Sequence, residues 1–378
     1  MIYLLGFLMD FSVTTALLAF NFRAVDLKSS PMELGILGGT YSACYSLSCF
    51  LMAKRFASIK ERMALSLSAI LIAIVIVVGL WIRSVWALVI LAGLAGIVAS
   101  HFWPPLEHWL GRLASSAVLY RVLGSFSIWW CAGMSLGTAL CGLLYRWHFR
   151  VPLLTSCFCL LLIAAVVQVV SKRSQQRPPN YSTADRIAHP EPRQAKTPFL
   201  RYARISIFLT YAAAGCIFAL FPKLGQELVM SKPAVSRILF FLFFGQLTSF
   251  LFLGRSRWWQ YNFLPLLGIH ALSAVAFLFL FLFESPGIFA AAFAVIGFAA
   301  GLSFLSSLFY TLHEPRDKRG AFAGIHESLL SGGRVIGPLV AGFVANFSTL
   351  KHPYLFLYFV FACSTVFILH RFQRSRPR

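Results

Sequence analysis

The sequence predicts an all-α integral membrane protein, with twelve transmembrane helices in two pseudo-symmetric six-helix bundles. Only 12% of its 378 residues are charged and 59% are hydrophobic, whereas soluble domains carry about 25% charged residues. The apolar residues come in long runs, for example 65–80, 264–283 and 354–369, close to the roughly 20 residues that cross a bilayer. These runs do not alternate polar with apolar, as the roughly ten-residue strands of a membrane barrel would. Helices are then the remaining way to satisfy backbone groups in lipid.

Marking apolar stretches between charged or turn-rich gaps gives segments at 2–22, 32–53, 63–82, 85–110, 121–146, 151–171, 203–223, 234–254, 263–283, 286–312, 320–346 and 353–371. The first lacks the basic leading region of a signal peptide and carries Asp10, so it is expected to be retained as a helix. The longest polar stretch contains Arg177-Pro178-Pro179 and His189-Pro190-Glu191-Pro192, a composition that cannot bury a core. It divides the segments six and six. The expected organisation is an N-terminal bundle at 1–172, a cytoplasmic linker at 173–202, and a C-terminal bundle with a short basic tail at 203–378.

A formal net charge of +21 invites a nucleic-acid reading, but its distribution argues for a membrane. With the N-terminus in the cytoplasm, eight of the 33 Lys and Arg fall on the opposite side: Arg23, Lys28, Arg83, Arg146, Arg150, Lys223, Lys232 and Lys351. Most of the others, such as Lys54, Arg55, Lys60, Arg62, Arg112 and Arg121, fall in cytoplasmic gaps. That bias puts both termini in the cytoplasm and gives the excess charge to anionic lipid headgroups rather than nucleic acid. All eight cysteines lie within expected spans, where small residues pack helices together.

The two halves resemble one another. Adding 200 to Gly124, Gly133, Gly137 and Gly142 gives Gly324, Gly333, Gly337 and Gly342. An offset of 202 relates Pro31 to Pro233 and Arg55 to Arg257. A duplicated six-helix unit of parallel topology characterises one class of secondary transporters, with the binding site at the midplane between the halves.

The stretch Gly333-Arg334-Val335-Ile336-Gly337-Pro338-Leu339-Val340-Ala341-Gly342 is similar to the G-x-x-x-G-P-x-x-G-G pattern of the major facilitator superfamily. The fifth segment carries a weaker copy, with Thr138 where proline is expected. The stretch from Ala53 to Arg62 resembles the family's G-x-L-x-D-R-x-G-R-R motif. It keeps basic residues but has Ala57 at the aspartate position, with Glu61 nearby as a substitute. The resemblance spans nearly the whole chain. It implies a facilitator fold, alternating access, a cavity lined by the first, fourth, seventh and tenth helices, and a monomer.

Ionisable residues inside spans are costly and so are candidates for function. Asp10 belongs to a stripe with Tyr3, Thr14 and Asn21, at steps that keep them within about 40° of one helix face. The fourth segment offers His101, Glu107 and His108 around Pro104-Pro105. Proline bends a helix, and the seven-residue spacing puts the two histidines on one face, where imidazole exchanges protons near neutral pH. Ser303, Ser306, Ser307 and Tyr310 form a hydroxyl face on the tenth segment, and Tyr211, Trp129 and Trp130 offer aromatic surface. On the eleventh, Glu327, Ser331 and Arg334 share one face, whereas their repeat mates Ser127, Cys131 and Met134 are uncharged.

No hydrolase, zincin or P-loop motif is present, so neither an enzyme nor an ATP-driven pump is expected, and no cofactor or metal. The sequence reads as a secondary active transporter of a small polar or anionic organic solute, proton-coupled as a symporter. Asp10 and Glu327 are the proton carriers, and Arg334 the anchor for a carboxylate or phosphate. The alternatives are a proton-driven multidrug efflux pump, a membrane enzyme acting on lipid-linked substrates, and a transport-inactive receptor or scaffold. Short loops point to a bacterial inner membrane.

Overall fold

The computed structural model describes residues 1–52, 60–113, 119–173, 197–312 and 319–375. These residues form thirteen α-helices, which make twelve spans long and apolar enough to cross a membrane. The N-terminal half contains α1 (Ile2–Asp26), α2 (Pro31–Met52), α3 (Glu61–Val78), α4 (Val85–Ala99), α5 (Trp103–Leu113), α6 (Leu119–Trp147) and α7 (Arg150–Arg173). The C-terminal half contains α8 (Thr197–Glu227), α9 (Lys232–Leu253), α10 (Phe263–Leu282), α11 (Pro286–Leu312), α12 (Arg319–Asn346) and α13 (His352–Ser375).

The fourth span is broken. Helix α4 closes at Ser100, and the chain turns through His101 and Phe102, whose amides donate to the carbonyls of Val98 and Ala99 at 3.0 Å. Pro104 and Pro105 then occupy the first turn of α5, the one helical position that loses nothing for want of an N–H. The expected bend is thus an interruption, and the heptad relation between His101 and His108 is lost with it. Helix α8 begins at Thr197, six residues before the expected start of the C-terminal bundle. Residues 174–196 of that linker, and residues 53–59 of the motif after α2, lie outside the described residues.

The repeated glycines explain the packing of the halves. A Cβ on Gly137 would stand 2.7 Å from the carbonyl oxygen of Phe11, so α6 lies against α1; Gly133 is pressed in the same way against Phe7. The repeat mates Gly333 and Gly337 meet the backbone of Phe208 and Ala212, laying α12 against α8. The third pair works between the halves. Gly342 faces the carbonyl of Pro31 on α2, with 2.7 Å for an added Cβ, and Gly142 faces the carbonyl of Lys232 on α9. One duplicated sequence feature therefore builds both the bundles and the two seams, α2 on α12 and α6 on α9.

The seams are closed at the end of the bundle away from the chain termini. Asp26 on α1 pairs with Lys232 on α9, and the Tyr145 hydroxyl donates to the other oxygen of Asp26 at 2.6 Å. The Lys232 ammonium also lies 4.4 Å from the Tyr145 ring centroid. Lys223 donates to the carbonyl of Ser29 at 2.6 Å, and the Asn21 amide to the carbonyl of Phe218 at 3.3 Å. Toward the terminus end the halves separate around a central cavity. All eight cysteines are free thiols; Cys131 and Cys141 donate to the carbonyls of Phe243 and Thr15 at 3.3 and 3.4 Å, as packing residues do.

Candidate functional site: the cavity between the halves

The cavity holds about 1450 Å3 of empty space, its open mouth included. The N-terminal half lines it with Asp10, Thr14 and Asn21 of α1, Tyr41 and Tyr45 of α2, Trp103 and Glu107 of α5, and Phe126, Trp130 and Met134 of α6. From the C-terminal half come Tyr211 and Phe218 of α8, Phe243 and Gln246 of α9, Phe304 of α11, and Glu327, Ser331 and Arg334 of α12. The α1 stripe faces the cavity from Asp10 to Asn21, as its spacing predicts. Tyr3 stands apart from the lining, its ring 6.4 Å from that of Phe126.

Arg334 is the cation among the described lining residues. Its guanidinium carbon lies 5.0 Å from the ring centroid of Tyr211. Gln246 fixes that ring from behind, donating to the Tyr211 hydroxyl at 2.8 Å. The guanidinium lies within electrostatic reach of both Asp10 and Glu327, so groups from both halves share one field. Glu327 is seven residues from Arg334, a rise of about 10 Å along the helix, and is 54% exposed at the open mouth. Glu107, from the opposite half, lies within electrostatic reach of Glu327. The cavity thus has a mixed centre of Arg334 and Asp10, and an acidic mouth of Glu107 and Glu327.

Nine of the residues singled out by the sequence meet here: Asp10, Thr14, Asn21, Glu107, Trp130, Tyr211, Glu327, Ser331 and Arg334. Tyr3, His101, His108, Trp129, Ser303, Ser306, Ser307 and Tyr310 do not line the cavity. His101 sits in the break of the fourth span, its Nδ1 3.1 Å from both Ser100 Oγ and the Ile97 carbonyl. His108 points outward and meets Glu61 at 3.2 Å, which also gives Glu61 a partner at the end of the degenerate motif. Ser303 is buried, Ser307 bonds His326 at 2.8 Å, and the Tyr310 hydroxyl accepts from the amide of Tyr261 at 2.9 Å. The expected hydroxyl wall is therefore inside the C-terminal bundle. The physical reason is that α11 turns its small-residue side to α9, where Gly297 and Gly301 sit against the backbone of Leu242 and Gln246. Among the described residues, no group of three His, Cys, Asp or Glu could hold a metal ion.

A sequence model described as Major Facilitator Superfamily matches residues 2–325. The chain belongs to the major facilitator superfamily. Solved structures of the same fold include a POT family transporter in complex with a thioalcohol-conjugated peptide. Its TM-score is 0.76 at 13% identity, over 99% of this chain and 96% of that one. The nucleoside transporter NupG gives a TM-score of 0.69 at 13% identity, over 98% of each chain. The human organic anion transporter MFSD10 gives 0.61 at 17% identity, over 97% of this chain and 98% of that one. Comparison with curated proteins finds no match.

In this facilitator the residues that sequence patterns did not single out are mainly aromatic. Tyr41, Tyr45, Trp103, Phe126, Phe218, Phe243 and Phe304 join Trp130 and Tyr211 in the cavity wall. Trp130 packs edge-on against Phe304 with centroids 5.9 Å apart, and Trp103 against Phe126 at 6.1 Å. The 16% aromatic content hid them, because rings are spread over every span. Gln246 carried a usable signal, an amide in the middle of an apolar helix.

Proposed function

We propose that the chain is a secondary active transporter that moves a small organic solute by alternating access, coupled to protons. The solute carries an anionic group for Arg334 and an apolar or aromatic body for the surrounding rings. The observation that carries this reading is that Arg334 lines one cavity with Asp10 from the opposite half and Glu327 from its own helix, within electrostatic reach of both. With both carboxylates ionised, the guanidinium is already answered and binds a further anion weakly. A proton on either one leaves positive charge for the solute. Proton and anion then favour each other's binding, and by linkage the coupling works equally in both directions.

With both termini in the cytoplasm, as the distribution of Lys and Arg supports, the cavity on this reading opens inward. The same reading puts the chain in a bacterial inner membrane, working as a monomer. The nine rings of the wall favour a second reading, proton-driven efflux of amphipathic compounds, which needs the same carboxylates and an exporting direction.

The test is uptake from a metabolite mixture into proteoliposomes, read by mass spectrometry, with and without an imposed pH gradient. Accumulation of an organic anion only with the gradient supports the symport reading. Exclusion of amphipathic cations under the reverse gradient supports efflux. No accumulation in either direction by correctly inserted protein removes both, and favours a receptor or scaffold.

A further inference from the structure

Behind the cavity wall lies a titratable group that the transport reading does not use. His326 precedes Glu327 on α12 but turns into the C-terminal bundle, where it is 2% exposed. Its Nδ1 is 2.8 Å from the Ser307 hydroxyl of α11, and its ring packs edge-on against Phe304 with centroids 5.1 Å apart. Ser307 can donate to Nδ1, which leaves Nε2 as the protonated nitrogen of the neutral ring. That Nε2 is buried and has no hydrogen-bond partner among the described residues. It stands 3.8 Å from Oε1 of Glu327.

A buried donor without an acceptor is unfavourable, and a carboxylate oxygen of Glu327 stands just beyond hydrogen-bond length. We propose that His326 is a second docking position for the Glu327 carboxyl, so that Glu327 alternates between the cavity field of Arg334 and the buried Nε2 of His326. Moving Oε1 by about 1 Å closes a hydrogen bond of ordinary length. His326 is thus a positioning residue: by holding Glu327 aside it leaves Arg334 open to the anionic group of the solute. This role rests on the reading of Arg334 as the anion anchor, but the docking itself does not.

The charged and titratable groups around the pair come from several elements. Arg334 on α12, Tyr211 on α8, Tyr45 and Cys49 on α2 and Glu107 on α5 act on or feel Glu327. Arg204 on α8 acts on His326. Each position of the carboxyl thus has a cationic neighbour, Arg334 acting on Glu327 and Arg204 on His326.

The experiment needs no solute. Infrared spectra of the full protein in liposomes are recorded at acid pH, where the Glu327 carboxyl carries a proton; its C=O band is the one lost in Glu327→Gln. A hydrogen-bonded carboxyl absorbs at lower frequency than a free one, so the wild type is expected to show two components. His326→Asn keeps an amide at the Nδ1 position for Ser307 but cannot reach Glu327, and is expected to lose the low-frequency component. His326→Gln places an amide N–H near the Nε2 position and is expected to retain it. A single component in the wild type, or identical bands in the Asn and Gln variants, overturns the proposal. Two components that respond as expected, in a chain that accumulates no solute, would leave the docking standing while the transport reading falls.

Discussion

Arg334 lies over the face of Tyr211, its guanidinium carbon 5.0 Å from the ring centroid, and Gln246 anchors the far edge of the same ring at 2.8 Å. The three residues come from α12, α8 and α9, so the orientation of the cavity cation depends on three helices of one bundle. A guanidinium over a ring is stabilised by about 0.5–2 kcal/mol, enough to favour one rotamer. Replacing Tyr211 by Phe keeps the ring but leaves the buried Gln246 amide without its acceptor, at about 1–3 kcal/mol. Tyr211→Leu removes the ring as well. We expect half-saturating solute concentrations to rise in the order wild type, Tyr211→Phe, Tyr211→Leu. Arg334→Ala should be weaker than all three by at least about tenfold, the scale of a charge-assisted hydrogen bond. Concentration-dependent uptake of the solute identified in proteoliposomes checks the order.

Asp10 and Glu327 are expected to separate coupling from movement. Asp10→Asn and Glu327→Gln each fix one carboxyl in a neutral form. Both variants should lose accumulation driven by a pH gradient while retaining exchange of labelled for unlabelled solute, which needs no net proton movement. Parallel assays of gradient-driven uptake and of exchange read the difference. Equal loss of both would assign these residues to solute binding alone.

The closed end of the bundle rests on Asp26, Lys232 and Tyr145. The paired side chains are 29% and 30% exposed, so solvent screens the pair and its contribution is on the order of 1 kcal/mol, a factor of about five in a two-state balance. Lys232→Ala is therefore expected to raise access to the cavity from the far end by roughly that factor. The reversed pair, Asp26→Lys with Lys232→Asp, should restore closure. Labelling of a cysteine introduced at Ser331 by a membrane-impermeant reagent added on each side measures it.

The repeat glycines should divide into two classes. A Cβ at Gly337 would overlap the backbone of Ala212, whereas none of the described residues comes within 4 Å of one placed at Gly124 or Gly324. Gly337→Val should lower the melting temperature sharply, because neither helix backbone can give way; overpacking of this kind costs about 1–3 kcal/mol or more. Gly124→Ala and Gly324→Ala should be neutral or stabilising by up to about 1 kcal/mol, since alanine is the better helix former. Thermal unfolding in one lipid composition compares the three.

Much of the site was legible in periodicity. Charge inside apolar helices is rare enough that Asp10, Glu107, Glu327 and Arg334 stand out, and α-helical spacing alone put Tyr3, Asp10, Thr14 and Asn21 on one face and Glu327, Ser331 and Arg334 on another. All but Tyr3 line the cavity. The same reasoning failed for Ser303, Ser307 and Tyr310. A span that is apolar on every side has no polar face to mark the cavity, so its small residues are as well placed for packing as for binding. It failed for His101 and His108 because spacing is meaningful only along a continuous helix, and the chain breaks between them.

By itself, then, the sequence determined the membrane-spanning class, the twelve spans and their duplication, and which few charges lie within apolar helices. Those follow from hydrophobic length, from the cost of burying charge, and from glycines recurring at one offset. Tertiary structure alone decided which rings line the cavity, that Gln246 holds Tyr211 beneath Arg334, that His326 backs Glu327, and that Asp26 meets Lys232 across the halves. These are relations between helices far apart in the chain. They depend on how each helix is rotated about its axis, which packing against neighbours sets and local sequence does not encode.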